Sequence, residues 1–473
     1  MKVIFSIILL HILCLQTAAA QDTLPPVLSF EDFQKQVRNY HPLARRTALL
    51  TDEAKAALLA ASGNFDPKIV GTTERKSFDG KNYYTLASGG LKFPAWYGAE
   101  FKATYDYASG VFLNPENKLP AGGQAVLGFT IPLLQGLMID ERRASLFQAR
   151  ILRNANEAEQ RALLNDLLFE SAKAYWEWAL AAANRKILAD ATDVAQKRFE
   201  VVRETYLQGD APAIDTLEAL IQLQNRQMEQ NDAELIFRNA TYKVNSFLWN
   251  TESTEVLDSF YALPDSVTDV PTLFENMSGS VQQQALSHPT VQNYQFQLAA
   301  LEVERRLKKE KLKPQLDFSY NFLADGFDFS RAGASGNDFI NNIILQNYKW
   351  GLEVGFPIFL RKDRAGLQLT KLKIMATDFE LSNKRQEIDL KIFQYQNELQ
   401  NLRRQLQTAN EITGNYARLL DAETEKFAIG ESSLFLINAR ENKLLEAQFK
   451  LAKLKAEQRK TEAALRWATG RLN

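Results

Sequence analysis

NYKWGLEVGFPI, residues 347–358, changes character at every second position. Tyr348, Trp350, Leu352, Val354 and Phe356 fall on one side, and Lys349, Gly351, Glu353 and Gly355 on the other. A period of two belongs to a strand with different media on its two faces. Three stretches share the pattern. In 314–323, Leu316, Phe318, Tyr320 and Phe322 oppose Gln315, Asp317, Ser319 and Asn321; in 97–108, Ala99, Phe101, Ala103, Tyr105 and Tyr107 oppose Glu100, Lys102, Thr104 and Asp106. In 123–133, Ala125, Leu127, Phe129 and Ile131 oppose Gln124, Gly128 and Thr130, with Val126 the exception. A half-buried soluble sheet alternates in the same way. Full charges on the polar faces, Tyr, Trp and Phe on the apolar ones, and runs of about 10 to 12 residues fit tilted strands that cross an outer membrane.

Between these strands the periodicity changes. Ile388, Ile392, Tyr395, Leu399, Leu402, Leu406 and Ala409 step alternately by four and three, which is a coiled-coil seam. Residues 138–208 contain neither proline nor glycine, and 362–428 contain no proline and two glycines, Gly366 and Gly414. A helix over 138–208 would be roughly 105 Å long at 1.5 Å per residue, too long for a globular domain. Return helices are expected over 212–249 and 432–469, so the reading is a helical stalk carrying membrane strands.

The chain repeats this plan. The same interval of 247 residues separates His41-Pro42 from His288-Pro289 and Pro67 from Pro314. FTIPLLQG aligns with VGFPIFLR, Arg143-Ala144 with Arg364-Ala365, and YLQGDAP with FAIGESS, whose Gly209 and Gly430 end the two long helices. Landmarks in one order imply a duplicated helix–strand–strand–long-helix unit, over residues 21–250 and 272–473 with a linker at 251–271. In both His-Pro dyads the proline ends one helix at the histidine and opens the next. His41, Pro42, His288 and Pro289 are therefore read as structural helix breaks rather than a site.

Four strands cannot close a barrel, since spanning barrels need about eight or more. Copies must share edges: two would give eight strands and three would give twelve. The first copy is longer between its prolines, with the surplus inside residues 67–95. That segment is either two further spanning strands or, the favoured reading, a hairpin at the barrel rim.

Residues 1–20, MKVIFSIILLHILCLQTAAA, read as a signal peptide. Leu13 before Cys14, the only cysteine, argues against a lipoprotein signal, and without Cys14 the chain has no thiol chemistry. The formal net charge of −1 gives no footprint for nucleic acid. No segment beyond the leader is apolar enough for a membrane helix. Enzyme motifs are absent: no G-x-S-x-G, no H-E-x-x-H, no phosphate-binding loop and three histidines in all. No cofactor and no metal are expected.

The exported start, the repeated helix–Pro–strand, IPLLQG at 131–136, AYWEW at 174–178, GESSLFLINARENKLLEAQ at 430–448 and the AALRWATG ending resemble the TolC-like outer membrane efflux proteins. The resemblance covers nearly all the chain beyond the leader. It implies a homotrimer, with a twelve-stranded barrel in outer membrane lipid and an α-helical tunnel across the periplasm. It also implies two partners, a periplasmic adaptor (membrane fusion) protein and an inner-membrane pump of the RND or ABC type, in a tripartite efflux or type I secretion system. The alternative is a periplasmic coiled-coil scaffold or adaptor without a pore. In the family, acidic residues six and nine positions after the second tip glycine narrow the entrance. Here those positions hold Leu436 and Ala439, whereas the first copy has Asp215 and Glu218. These two lie one turn apart and can face one way. The expected gate is a ring of Asp215 with Glu218 beside Phe435 or Leu436; the competing reading makes both carboxylates solvated outer-face charges. The tips, Gly209, Asp210, Gly430, Glu431, Leu434 and Phe435, are read either as the adaptor-docking surface or, for the apolar cluster, as packing within the turn.

Overall fold

In the computed structural model the described residues are 27–209, 212–249, 263–264, 286–325 and 347–472. The expected leader, Asp210, and the linker apart from Leu263 and Pro264 lie outside them. The chain is mostly helical and divides into two compact units.

The unit of Arg46–Ala162 and Gln282–Asp389 holds a six-stranded antiparallel sheet. Its strands are β2 (Lys68–Phe78), β3 (Lys81–Pro94), β4 (Glu100–Ser109), β5 (Gln124–Pro132), β7 (Gln315–Asp325) and β8 (Tyr348–Gly355), in the order β2-β3-β4-β5-β7-β8. The β5–β7 pairing, from Ala125–Ala324 to Pro132–Asp317, joins the two copies of the repeat.

Among the described residues six strands stand in this sheet where four are expected, and residues 67–95 are not a hairpin standing off at the rim. β2 and β3 turn at Asp79-Gly80, both at positive φ (51° and 71°), as a two-residue hairpin turn requires. β3 then pairs with β4 from Pro94–Glu100 to Thr85–Ser109, the whole length of β4. The added hairpin therefore lies in the sheet.

The same unit contains α2 (Pro42–Ser62) from Arg46 onward, α5 (Pro289–Glu310) and the first stretches of α3 (Glu141–Leu207) and α6 (Arg361–Ala428). α3 begins where Asp140 Oδ1 accepts the Arg143 amide at 2.8 Å, a side-chain N-cap. Arg143, almost buried, also donates to the carbonyls of Leu137 and Gly136, which holds the strand-to-helix loop closed.

The other unit comprises the described residues of Met1–Arg45, Leu163–Val281 and Leu390–Asn473. It includes α1 (Phe30–Tyr40), α4 (Ala213–Asn245), α7 (Leu434–Ala468) and the short parallel pair β1 (Val27–Leu28) with β6 (Leu263–Pro264). Its core gathers Phe33, Val37, Leu168, Tyr175, Trp176, Trp178, Phe237 and Val244. The heptad seam on α6 turns inward: Ile388, Ile392, Leu399, Leu402 and Ala409 are buried, and Leu402, Leu406 and Ala409 pack on Leu451 and Leu454 of α7. Tyr395, half-buried in that seam, has its phenol pushed upward by burial.

His41 stands between the helices Phe30–Tyr40 and Pro42–Ser62, and Pro289 opens the helix after His288. His41 and His288 have extended backbones, with ψ of 132° in each. Each ring Nδ1 accepts the amide two residues on, from Leu43 and from Thr290, at 3.2 Å. The histidine thus caps the start of the following helix. An accepting Nδ1 is unprotonated, and burial lowers the His41 pKa in the same sense.

Each long helix ends on a left-handed glycine, Gly209 at φ 87° and Gly430 at φ 79°, where an added Cβ would meet nothing within 4 Å. The glycines are there for backbone conformation alone. At the second tip Gly430 N donates to Phe427 O (3.0 Å) and Glu431 N to Lys426 O (2.9 Å), closing the helix with its last carbonyls satisfied. Gly209→Ala and Gly430→Ala are each expected to cost about 1 kcal/mol despite the open space. Thermal melts of the helical circular-dichroism signal check this, with Gly414→Ala, inside α6, as the contrasting substitution that should stabilise.

Candidate functional site

Two regions carry the residues that the sequence marks out: the helix tips in one unit and the sheet faces in the other.

At the tips, Val202 of α3, Ala219 of α4 and Leu434 of α7 are buried against Phe199 and Phe427. Leu434, read as a candidate docking residue, is only 3% exposed and belongs to this packing; Ile437 is likewise buried. Phe435 points outward at 68% exposed, and Leu436 is exposed at 39%. Exposed Ile214, Leu217 and Ile221 join Phe435 around a groove of ≈ 380 Å³ that Glu218 and Asn438 also line. Glu218 and Phe435 therefore come together, while Asp215 and Leu436 do not line this groove. Asp215 is half-buried in the first turn of α4, where its carboxylate faces the positive end of the helix dipole.

A polar network ties three helices together here. Arg198 of α3 donates to the Glu441 carboxylate and to Asn438 Oδ1 (3.1 Å), both on α7. Asn438 Nδ2 in turn donates to Glu218 Oε1 on α4, also at 3.1 Å. Glu218 is thus engaged within its own chain. Glu441 is 4% exposed, so its charge depends on Arg198. A second clasp closes the α6–α7 turn: the Ser432 hydroxyl donates to Glu423 Oε1 at 2.6 Å, and Arg440 stands 3.6 Å from the other oxygen. The Ser432 bond first, then Arg440, holds the Glu423 carboxyl below the usual carboxylate range. The sequence reading reached none of Arg198, Glu423, Asn438 and Glu441, because no spacing marks a pair that closes across 243 residues.

In the sheet, hydrogen-bonded register assigns every side chain to a face. Tyr348, Trp350, Leu352 and Val354 of β8 share a face with Leu316, Phe318, Tyr320 and Phe322 of β7. That face continues through Ala125, Leu127, Phe129 and Ile131 of β5 to Phe101, Ala103, Tyr105 and Tyr107 of β4. Its side chains stand open, with Trp350 59%, Leu127 55% and Val354 68% exposed. The opposite face is polar: Ser88 donates to Asp106 Oδ1 at 2.5 Å and Asn321 to Lys349 O at 3.2 Å.

Trp350 is level with Tyr320, Phe129 and Phe101, so the apolar row runs unbroken across four strands.

Among the described residues no helix is long and apolar enough to cross a membrane, and no group of three His, Cys, Asp or Glu could hold a metal. Residues 116–244 and 281–471 match the family model described as outer membrane efflux protein. No curated protein matches the sequence. Among solved structures the fold is similar to the CmeC outer membrane channel of Campylobacter jejuni, with TM-score 0.66 and 14% identity over 93% of this chain and 85% of that one. It is also similar to the outer membrane protein VceC of Vibrio cholerae (TM-score 0.62, 14% identity, 93% and 96% covered). The open state of the MtrE outer membrane channel of Neisseria gonorrhoeae matches at TM-score 0.63 and 13% identity, with 93% and 88% covered.

Proposed function

Because the chain belongs to the outer membrane efflux protein family, we propose that three copies form a passive exit duct for substrates delivered by an inner-membrane transporter. Proteins of this family are transport channels, not enzymes. The observation that carries the proposal for this chain is the sheet with one open apolar face and one charged face. Among the described residues this sheet ends in two free edges, β2 and β8, which run antiparallel to one another. Pairing β8 of one copy with β2 of the next removes both edges, and lipid outside with water inside satisfies both faces. The helices α3 and α6 and their return helices then form the periplasmic tunnel. A periplasmic adaptor joins its tips to an RND- or ABC-type pump, in a tripartite efflux or type I secretion system.

The gate lies at the tips. Asp215, three times repeated around the axis, disfavours anions and narrows the entrance, with Leu436 as its apolar partner and Glu218 as a tie to α7. The exposed groove of Ile214, Leu217 and Phe435 is the adaptor-docking surface.

The test is purification and planar-bilayer recording. The expected material needs detergent, has the mass of three chains and opens discrete conducting steps. Asp215→Ala should lower the cation preference and raise the conductance; unchanged values would remove Asp215 from the gate. A monomer that stays soluble without detergent would return the chain to the class of periplasmic scaffolds.

A further inference from the structure

One level of the polar sheet face is unlike the rest. Lys68 of β2 pairs with Lys92 of β3, and Lys92 pairs with Lys102 of β4. The level continues through Gly128 and Asn321 to Lys349 of β8. It therefore reads Lys-Lys-Lys-Gly-Asn-Lys from edge to edge, with no acid in it. Directly opposite side chains have Cβ atoms about 5 Å apart, and like charges in that position destabilise a sheet. Four ammonium groups in one row need a compensating anion or a use.

The neighbouring carboxylates do not supply that anion. Glu100, one level nearer the α3 end, stands 3.9 Å from Arg142. Asp106, two levels the other way, accepts the Ser88 hydroxyl, and Asp317 accepts Gln315 Nε2 at 2.6 Å. The level is crowded at Gly128: a Cβ there would run first into Asn321 Oδ1 and then come 3.0 Å from Lys102 Cε, so the glycine leaves room for both side chains over β5. Two of the four lysines, Lys68 and Lys92, come from the added hairpin.

We infer that this row is an anion-binding belt, which takes polyvalent anions, carboxylates, phosphates or sulfates, on their way through the barrel. The inference rests on the duct reading above, which turns this face to the lumen. Copies arranged around an axis would bring the rows together at one depth, and low-dielectric walls focus the field of such a ring on its centre.

Citrate, a trivalent carboxylate, is the probe. Added to the bath, it should block single-channel current through the wild type. Lys92→Gln with Lys102→Gln should raise the half-blocking concentration about tenfold or more, since six charges leave the ring of three copies. Lys349→Gln alone, on the edge strand, is the second variant should the double one fail to insert, and should raise it less. Lys81→Gln, in the hairpin beyond the belt, should leave block unchanged. A conducting wild type that citrate does not block, or a block that survives the lysine substitutions, overturns the belt and leaves the duct intact. A wild type that forms no channel overturns the duct reading itself.

Discussion

Replacing Arg198 by methionine is expected to destabilise the tip by about 3 kcal/mol or more, because it leaves Glu441 charged and buried without its partner. The geometry sets that scale. Arg198 is 17% and Glu441 6% exposed in their side chains, so water can replace little of what is lost. A solvated ion pair would change by less than about 1 kcal/mol. One Glu441 oxygen, Oε1, already lacks a hydrogen-bond partner, so the group has no reserve of donors. The effect should be non-additive. Arg198→Met combined with Glu441→Leu removes both charges and should recover most of the loss, since a buried pair is worth little more than apolar side chains of the same volume. Helical circular-dichroism melts of the two singles and the double check this. A single substitution that shifts the midpoint no more than Lys197→Met, at an exposed pair on the same helix, would show that the network does not hold the tip.

That network also marks where sequence reading stops. The seam from Ile388 to Ala409 and the alternation of β4, β5, β7 and β8 are local periodicities, and the coordinates keep them. Tip glycines are legible for the same reason, because a left-handed residue needs only its own backbone. Of the two readings open for residues 67–95 the rim hairpin is favoured in the sequence because the β2 face of Ile69, Gly71, Thr73 and Arg75 carries no apolar stripe. The hairpin's stability comes from pairing along β4, which no window of sequence contains. The sign that was present was Asp79-Gly80 between two runs of strand formers. Polar residues such as Arg198, Asn438 and Glu441 are harder still. Each looks like a solvated helix face, and only packing of three helices makes them buried partners.

The hairpin changes what the duplication means. Two equal copies would give four strands, and the resemblance to efflux channels implied twelve for three copies. With six strands in each sheet, three copies bring eighteen if every strand enters the wall. Barrel diameter grows roughly in proportion to strand number. On β2 three of the four charges, Lys68, Glu74 and Lys76, fall on the polar face, and Arg75 falls on the other face near the turn.

Trp178→Ala should be the most damaging single substitution in the helical unit, at about 3–5 kcal/mol. AYWEW entered the sequence reading only as a family likeness, but the structure gives it a physical task. Tyr175, Trp176 and Trp178 are all at most 2% exposed and meet α1 and α4 around Phe33, Val37, Phe237 and Val244. Trp178 stacks on Phe237 at 6.4 Å and meets Tyr175 edge-on at 5.7 Å. Its indole Nε1 donates to Thr241 Oγ1 at 2.9 Å, inside the core. Alanine would remove the ring contacts, leave a cavity between α3 and α4 and take the donor from a buried hydroxyl. The Thr241 hydroxyl still donates to Phe237 O at 2.8 Å, so its loss is partial. Trp178→Phe separates the terms: it keeps an aromatic ring and loses the hydrogen bond and part of the volume, for about 1–2 kcal/mol. Thr241→Val with Trp178→Phe should then cost little beyond Trp178→Phe alone, as the polar partner is gone from both sides. Detergent melts of the four proteins measure each step. A Trp178→Ala protein with a wild-type midpoint would mean that the helical unit is held by the coiled-coil seam and not by this cluster.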